Sequence, residues 1–269
     1  MTDFSQDDTS WTDIPRMFRQ PNEVLPSPWR EIFGPLRKGA NDGLVVVGQF
    51  GQSIDARIAT STGSSHYING PAGLAHLHRL RALVDAVVVG VGTAIADDPQ
   101  LTVRRVVGPS PARVVLDPAG RLPMTARLFA EDGIRRLAIT RNGTHPKVPP
   151  GVETIALPSP DRHMAPAAIL GALAKCDFHR ILIEGGADTV SRFLAAGCLD
   201  RLHVVIAPII IGAGRSSVTL PAIDRVDEAL RTKVHAHSLG QEVLLDCDLS
   251  ALRKPIVGTY DLGAAKISL

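Results

Sequence analysis

The sequence is poor in cysteine and has no cysteine pair spaced for zinc or redox chemistry. Its three cysteines, Cys176, Cys198 and Cys247, lie far apart along the chain. An odd and scattered set of this kind excludes a disulfide framework and a structural zinc site of the usual spacing. The cysteine content therefore predicts a reducing, cytoplasmic compartment.

A large charge excess, a long apolar run and an apolar leader are also missing. The 29 basic residues nearly balance the 27 acidic ones, whereas nucleic-acid-binding proteins usually show a clear basic excess. The longest apolar stretches, such as VVIAPIIIG at 204–212, are too short to span a bilayer. The first ten residues are acidic and polar, unlike a secretory signal. We therefore expect a soluble protein that binds neither nucleic acid nor membrane.

The chain divides into three parts by composition. Residues 1–42 contain five prolines, both tryptophans and little periodicity. This N-terminal arm either lies on the surface of the domain or forms a lid or dimer element anchored by Trp11 and Trp29. Residues 43–250 alternate strand and helix patterns and predict one α/β domain, followed by a short tail at 251–269.

Continuous Val, Ile and Leu runs are typical of strands buried on both faces, so a mostly parallel central sheet between two helical layers is expected. A C-terminal antiparallel hairpin around Gly240 adds an edge to this α/β/α sandwich. The predicted strands are 44–50, 86–91, 112–117, 135–140, 152–157, 180–185, 202–211, 233–239 and 242–249. The predicted helices are 71–84, 164–176 and 187–196.

Glycines and charged residues are concentrated in GVGTAIADDPQLTVRR at 90–105, directly after a predicted strand. Gly90 and Gly92 suit a place where the backbone approaches a ligand closely. The segment is not the dinucleotide fingerprint, because Ile95 occupies the third glycine position. Two explanations fit its charged residues. Either one aspartate caps a turn and the arginines are solvated at the surface, or these side chains belong to a binding site.

A second glycine-rich turn follows the predicted strand at 180–185. There Glu184 is followed by two glycines and a predicted helix, whose free amides and dipole favour an anion such as pyrophosphate. An ionised glutamate at the end of a buried strand costs stability unless it has a partner. Because sites in open α/β sheets lie at such strand ends, we predict a functional role for Glu184. In the loop after the strand at 135–140, Arg141 is at a position that suits the 2′-phosphate of a dinucleotide cofactor.

Six motifs occur in a characteristic order: SIDARIA at 53–59, TGSSHYI at 62–68, LRA at 80–82, GVGTAIADDPQLTVR at 90–104, EGG at 184–186 and LDRLHVVIAPIIIG at 199–212. Together they resemble the reductase domain of riboflavin biosynthesis, the RibD C-terminal domain, over about residues 44–250. The resemblance implies a dihydrofolate reductase-like fold, NADPH as cofactor, a phosphorylated pyrimidine as substrate and a homodimer.

The resemblance also implies a set of site residues. On the cofactor side these are Tyr67, Thr93, Asp97, Gly185, Gly186, Ala187, Asp188, Thr189, Val190, Ser191 and Arg192. On the substrate side they are Ser65, Arg81, Leu101, Arg104 and Glu184. Arg81 and Arg104 suit a phosphate through forked, charge-assisted hydrogen bonds. Glu184 is the implied catalytic residue, acting by orienting the substrate or through its charge.

The implied reaction reduces the ribosyl group of a 5-amino-6-(5-phosphoribosylamino)uracil-type pyrimidine to the ribityl form. The cofactor supplies hydride to the anomeric carbon, and the protein aligns the reactants and excludes water. Two positions depart from the family pattern, with Gln49 where lysine is common and Ala56 where glycine is common. The sequence also lacks the His-x-Glu and Pro-Cys-x-x-Cys signature of a zinc deaminase module, so either the deaminase is separate or the compound reduced is different.

Two alternatives therefore stay open. In the first, the same fold and cofactor serve another substrate, such as a dihydropterin or a specialised metabolite. In the second, the chain is a non-catalytic NADPH-binding module. No metal is predicted in any of these interpretations, because the nine histidines show no ligand pattern with cysteine or carboxylate.

Overall fold

The computed structural model describes residues 9–39, 42–65, 68–159, 163–256 and 267–268. The helices are α1 (Ile14–Arg19), α2 (Trp29–Phe33), α3 (Pro71–Leu83), α4 (Val91–Asp97), α5 (Pro166–Ala174) and α6 (Ala187–Ala195). The strands are β1 (Val45–Ser53), β2 (Arg57–Thr60), β3 (Ala86–Gly90), β4 (Ala112–Leu116), β5 (Arg136–Arg141), β6 (Val152–Leu157), β7 (Arg180–Glu184), β8 (Arg201–Ala207), β9 (Gly214–Ser216), β10 (Lys233–Leu239), β11 (Glu242–Asp248) and β12 (Ile267–Ser268). Short 3-10 helices cover Thr9–Trp11, Gly34–Arg37, Arg127–Phe129, Val226–Glu228 and Ser250–Leu252.

One sheet of ten strands organises the molecule, in the order β10-β11-β8-β1-β7-β3-β4-β5-β6-β12. The strands from β8 to β6 in this order run parallel to one another. The β10–β11 hairpin joins β8 in antiparallel pairing, and β12 pairs antiparallel with β6. The predicted architecture, a mostly parallel sheet with a C-terminal antiparallel hairpin, is confirmed.

Alternate residues along the central strands enter two different cores. Val45 and Val47 of β1 pack into the core that contains α3, whereas Val46 packs into the core that contains α5 and α6. The valines of β3 divide in the same way. Because strand side chains alternate between faces, continuous apolar runs serve both cores at once, which is why these strands read as unbroken hydrophobic segments.

The described part of the N-terminal arm belongs to the first of these cores. Trp11 and Trp29 are buried, with their ring centroids 5.2 Å apart in an edge-to-face arrangement. The guanidinium of Arg79, on α3, lies 4.6 Å from the centroid of the Trp29 ring. The tryptophans therefore fix the arm to the domain as part of a helical layer. The domain boundary at residue 42 stays a prediction.

The structure differs from the predicted elements in several places. The strand predicted at 202–211 ends at Ala207, because Pro208 has no N–H to continue the ladder. The small sheet of β2 and β9, with strands of four and three residues, was not predicted. Neither was α4, because Gly90 before it and Gly92 within it are typical of a turn. Within the described ranges, no helix has both the length and the apolar content needed to cross a membrane.

Candidate active site

The carboxyl ends of β3 and β7 bring the two glycine-rich turns together. These strands are neighbours in the sheet, with Val88 in register with Ile183. The turn after β7 is joined to α4, because the backbone N–H of Gly186 donates to Oγ1 of Thr93 at 2.8 Å. Two segments that lie more than ninety residues apart in sequence therefore form one surface.

Close backbone contact explains the glycines of both turns. A Cβ at Gly90 would lie 2.5 Å from Oγ1 of Thr189, and a Cβ at Gly186 would lie 2.8 Å from Oγ1 of Thr93. Gly185 has φ +100°, which side-chain-bearing residues rarely adopt. At Gly92, by contrast, an added Cβ would meet no atom within 4 Å. The turns thus need glycine to pack together, whereas Gly92 lies open to space.

A cavity of about 560 Å³, here named the cofactor cleft, opens at this junction. The predicted cofactor residues that line it are Thr93, Arg141, Gly186, Asp188, Thr189 and Arg192. Helix α6 begins there at Ala187, and its N-cap, Gly186, makes no side-chain hydrogen bond, so the first amides and the dipole of the helix favour an anion. The volume is in the range of small-ligand sites. The cleft fits a phosphate-bearing cofactor in both size and chemistry.

Basic side chains surround the cleft. Nη2 of Arg192 donates to Oδ1 of Asp188 at 2.9 Å and lies 3.2 Å from Nε2 of His163. Arg121 and Arg141 line the cleft beyond them. The sequence analysis missed Arg121 and His163. For Arg121 a signal existed, since it follows β4 in the Asp-Pro-Ala-Gly-Arg turn at the same sheet edge as the glycine-rich turns.

Arg81 and Glu184 form a buried ion pair. Nε and Nη2 of Arg81 donate to the two carboxylate oxygens of Glu184 at 3.0 and 2.6 Å, and both side chains are 7% exposed. Nη1 of Arg81 donates to the carbonyl of Thr102 at 3.1 Å. The pair supplies the partner that an ionised Glu184 requires. In this arrangement Glu184 occupies the fork of Arg81, and the contact of Arg81 with the substrate phosphate stays a prediction.

Gln49 lies beside this pair. It is in register with Glu184 of β7 on one side and with His203 of β8 on the other, and it is buried. Side chains in register on neighbouring strands point to the same face. A neutral amide at this position leaves the Arg81–Glu184 pair electrically balanced, whereas a lysine would add a third charge.

Arg104 lies at the protein surface and is positioned by its neighbours. Its backbone N–H donates to Nδ1 of His78 at 2.9 Å, and Nη1 donates to Gln100 and Thr102. Burial, followed by the charges of the nearby arginines, lowers the pKa of His78 to about 3. The imidazole is therefore neutral at pH 7, which leaves Nδ1 free to accept the bond from Arg104.

Other predicted substrate and cofactor residues are placed differently. Leu101 is 1% exposed in the core and has a left-handed backbone with φ +57°. Asp97 is exposed at the end of α4 and does not line the cofactor cleft. Ser65 is half-buried in the loop after β2, whereas Tyr67 lies outside the described residues.

Three members of the predicted cofactor segment after Gly185 do not line the cleft. Val190 is fully buried in the core, since it lies on the inner face of α6. Ser191 is also buried, and its Oγ accepts a hydrogen bond from the backbone of Thr219 at 2.9 Å. Ala187 is half-buried in the first turn of α6. The helix turns the side chains of Val190 and Ser191 inward, and their assignment to the cofactor segment stays a prediction.

Ala56, the second departure from the family pattern, has a left-handed backbone with φ +58°. Such a backbone disfavours any residue with a Cβ by about 1 kcal/mol. We expect Ala56→Gly to raise the free energy of unfolding by about 0.5–1 kcal/mol in urea denaturation. Ala130→Gly is the control, because Ala130 has φ −55° and should lose stability instead. Equal losses from both substitutions would contradict the strain argument.

No group of three or more His, Cys, Asp or Glu side chains suited to one metal ion occurs in the described ranges. His76 and His203 are buried and contact each other, with Nε2 of His76 3.0 Å from Nδ1 of His203. Burial, followed by the charge of His203, lowers the pKa of His76 well below its usual value. His76 is therefore a neutral group of the core.

Comparison with known proteins identifies relatives of the whole domain. The RibD C-terminal domain family matches residues 45–245. A protein from Methanothermobacter thermautotrophicus, named as 2,5-diamino-6-ribosylamino-4(3H)-pyrimidinone 5′-phosphate reductase, is 32% identical over 206 residues, which cover 72% of this chain and 93% of the relative. The riboflavin biosynthesis protein RibD of Aquifex aeolicus is 34% identical over 73% of this chain, but this chain spans only 55% of its length.

Solved structures agree with these sequence matches. A deaminase/reductase from Thermotoga maritima superposes with a TM-score of 0.66 at 30% identity, covering 76% of this chain and 56% of the other. A pyrimidine reductase-like protein from Corynebacterium diphtheriae shares the fold, with a TM-score of 0.60 at 20% identity over 86% of this chain and 98% of the other. From its matching residues and its relatives, the chain belongs to the RibD C-terminal domain family.

Proposed function

We propose that the protein reduces the ribosyl group of a 5-amino-6-(5-phosphoribosylamino)uracil-type pyrimidine to the ribityl form, with NADPH as cofactor, in riboflavin biosynthesis. One observation supports this most strongly. The strand end that carries the buried Glu184 continues directly into the Gly185–Gly186 turn of the cofactor cleft. A substrate beside Glu184 and a cofactor in the cleft would therefore be neighbours. Relatives named as reductases of this pathway support the same reaction class.

The cofactor cleft has the features that NADPH requires. The uncapped start of α6 suits the pyrophosphate, and Arg121 and Arg141 are available to the 2′-phosphate. Thr93 fixes the turn at Gly186 through its hydroxyl. When bound, NADPH would supply the hydride that adds to the anomeric carbon of the open-chain imine, and a proton from solvent added to the imine nitrogen would complete the ribitylamine. The residues of the chain hold the two molecules in contact and limit the access of water.

Glu184 is the proposed catalytic residue. Arg81 holds both of its carboxylate oxygens, so the side chain has one fixed orientation at the sheet edge. A fixed, buried carboxylate can accept hydrogen bonds from a pyrimidine or sugar donor and can stabilise positive charge on the substrate. Its role is orientation and electrostatics, with Arg104 providing a positive charge nearby for the phosphate.

A second candidate substrate follows from the name of the archaeal relative. That name specifies a 2,5-diamino-pyrimidinone, which carries an amino group where the uracil-type compound has an oxygen. The two substrates differ at one ring position and share the ribosyl phosphate. Comparing kcat/KM for the two compounds distinguishes them, and a preference of about tenfold or more identifies the one that fits the pocket.

The proposed function is tested by mixing the protein with NADPH and each pyrimidine and following the loss of reduced-nicotinamide absorbance. We expect Arg104→Ala to lower kcat/KM by about 10- to 100-fold, because a charge-assisted contact with the phosphate is lost. The affinity for NADPH, measured by fluorescence titration, should stay unchanged, because Arg104 does not line the cofactor cleft. Tight NADPH binding without turnover of either compound would contradict the reductase proposal and favour a binding module or a different substrate.

A homodimer in the cytoplasm completes the proposal. Exposed apolar side chains on and near the hairpin, Val234 and Val243, and Ile210 after β8 support a self-association surface. Sedimentation velocity of the purified protein tests this. One chain has a mass of 28.6 kDa, and a species of twice that mass is expected. A monomer at micromolar concentration would contradict the dimer.

A further inference from the structure

The loop that carries Arg104 is fixed to the domain at its beginning. This loop, residues 103–110, is here named the Arg104 loop. The N–H of Val103 donates to Oγ of Ser110 at 3.0 Å, which closes the base of the loop. The N–H of Arg104 donates to Nδ1 of His78, on α3, at 2.9 Å. These two bonds fix the base of the loop, whereas its tip is held by a different part of the chain.

The N-terminal arm holds the tip of the Arg104 loop. Nε1 of the Trp11 indole donates to the carbonyl of Val107 at 2.7 Å. The next residue, Gly108, has φ +152°, and an added Cβ there would lie 2.6 Å from Cβ of Ala82 and 3.5 Å from Cγ of Pro15. Ala82 belongs to α3, whereas Pro15 belongs to α1 of the arm. The tip is therefore packed between the arm and α3.

The indole of Trp11 is itself fixed by the rings around it. Trp11 is 2% exposed, and its ring lies edge-to-face with Phe33, at a centroid distance of 5.5 Å, and with Trp29, at 5.2 Å. The guanidinium of Arg79, on α3, lies 5.6 Å from the centroid of the Trp11 ring. A large ring packed on several sides keeps one orientation. The indole N–H is therefore a rigid donor to the loop.

One turn of α3 joins the arm, the Arg104 loop and the strand end at Glu184. His78 accepts the bond from Arg104, Arg79 lies against the tryptophans, and Arg81 donates to Glu184. Successive residues of a helix point in directions about 100° apart, so this turn presents each side chain to a different neighbour. The arm thus contacts both structures that position Arg104, its own loop and α3.

We propose that Trp11 is a positioning residue for the proposed reaction and holds the tip of the Arg104 loop so that Arg104 meets the substrate from one place. The inference rests on the proposed function for the role of Arg104. The family match begins at residue 45, so the resemblance assigns no role to Trp11. Only two residues separate Arg104 from Val107. A loop released at its tip samples other conformations, and a substrate contact misplaced by about 1 Å loses much of its effect.

The first test is Trp11→Phe, which removes the indole N–H and keeps an aromatic ring. For the phosphorylated pyrimidine, KM should rise by about three- to tenfold with kcat nearly unchanged, as expected for one hydrogen bond that acts on substrate binding. The affinity for NADPH should stay unchanged, because neither Trp11 nor the Arg104 loop lines the cofactor cleft.

Trp29→Phe is the matched control. It removes the hydrogen bond from Nε1 of Trp29 to Oγ of Ser10, at 3.0 Å, which stays within the arm. Both variants lose one indole donor, so both should lower the melting temperature by about 2–4 °C. Only Trp11→Phe should change KM, which separates positioning of the loop from a loss of stability in the arm.

A double-mutant cycle with Arg104→Ala tests whether Trp11 acts through Arg104. If it does, adding Trp11→Phe to Arg104→Ala should change kcat/KM by less than about twofold, because the group that Trp11 positions is already gone. A decrease in kcat/KM by the same factor in both backgrounds would show that the two residues act independently and would overturn the inference.

Hydrogen exchange of the loop amides provides a readout that needs no turnover. Exchange of the N–H groups of Val103 and Arg104 should become about fivefold faster in Trp11→Phe, the factor that corresponds to one lost hydrogen bond, and should be unchanged in Trp29→Phe. If the wild type reduces neither pyrimidine, the proposed function fails, and exchange alone decides whether Trp11 holds the loop. Equal exchange in Trp11→Phe and the wild type, or equal KM values for Trp11→Phe and Trp29→Phe, would overturn the inference.

Discussion

Replacing Arg81 with methionine is expected to lower the free energy of unfolding by about 3–5 kcal/mol. The substitution leaves the Glu184 carboxylate buried at 7% exposure without the two hydrogen bonds that it now accepts. A buried carboxylate without a partner must take up a proton or open the structure to water. Urea denaturation at pH 7 measures the loss, and turnover should fall with it because Glu184 is no longer held in place.

The double variant Arg81→Met, Glu184→Met separates pairing from packing. Removing both charges eliminates the unpaired carboxylate, so the double variant should recover most of the stability lost in the single variant. Arg104→Met is the surface control, with an expected change within about 0.5 kcal/mol. If Arg81→Met cost less than about 1 kcal/mol, the pair would not be the buried unit that the structure shows.

Gly92→Leu is expected to weaken NADPH binding by about 100-fold while the fold stays intact. Gly92 lies in the first turn of α4 and lines the cofactor cleft, and an added Cβ there meets no protein atom within 4 Å. A leucine side chain would therefore occupy the space assigned to the cofactor. Because glycine disfavours a helix, the melting temperature should be unchanged or slightly higher.

Fluorescence titration with NADPH and thermal unfolding of the same samples measure both effects. Gly34→Ala is the control for helix propensity, because Gly34 has a helical backbone and lies outside the cofactor cleft. It should leave NADPH affinity unchanged. Unaltered affinity in Gly92→Leu would mean that the cofactor does not bind in this cleft.

Local patterns predicted the parts of the fold and site that depend on neighbours in sequence. The valine runs of β1 and β3 predicted strands buried on both faces, and each lies within two or three residues of its predicted bounds. The turn at Gly185–Gly186 was predicted from a strand, two glycines and a helix start. In the structure that turn lies at the cofactor cleft, because strand ends at one sheet edge converge.

Contacts between distant segments were beyond local patterns. The Arg81–Glu184 pair joins residues 103 positions apart, and no periodicity indicates that the arginine would turn toward the carboxylate. Val190 and Ser191 were assigned to the cofactor as parts of a continuous segment, but the rotation of α6 points them into the protein.

The central claim, hydride transfer to the sugar of the substrate, is tested most directly with NADPH that carries deuterium at both C4 positions of the nicotinamide. The protein is incubated with this cofactor and the phosphorylated pyrimidine, and the product is analysed by mass spectrometry and NMR. Our account predicts a ribitylamino product with one deuterium on the former anomeric carbon, and none in reactions with heat-denatured protein. A reduced product without deuterium, or no reduced product at a saturating concentration of NADPH, would contradict hydride transfer to the sugar.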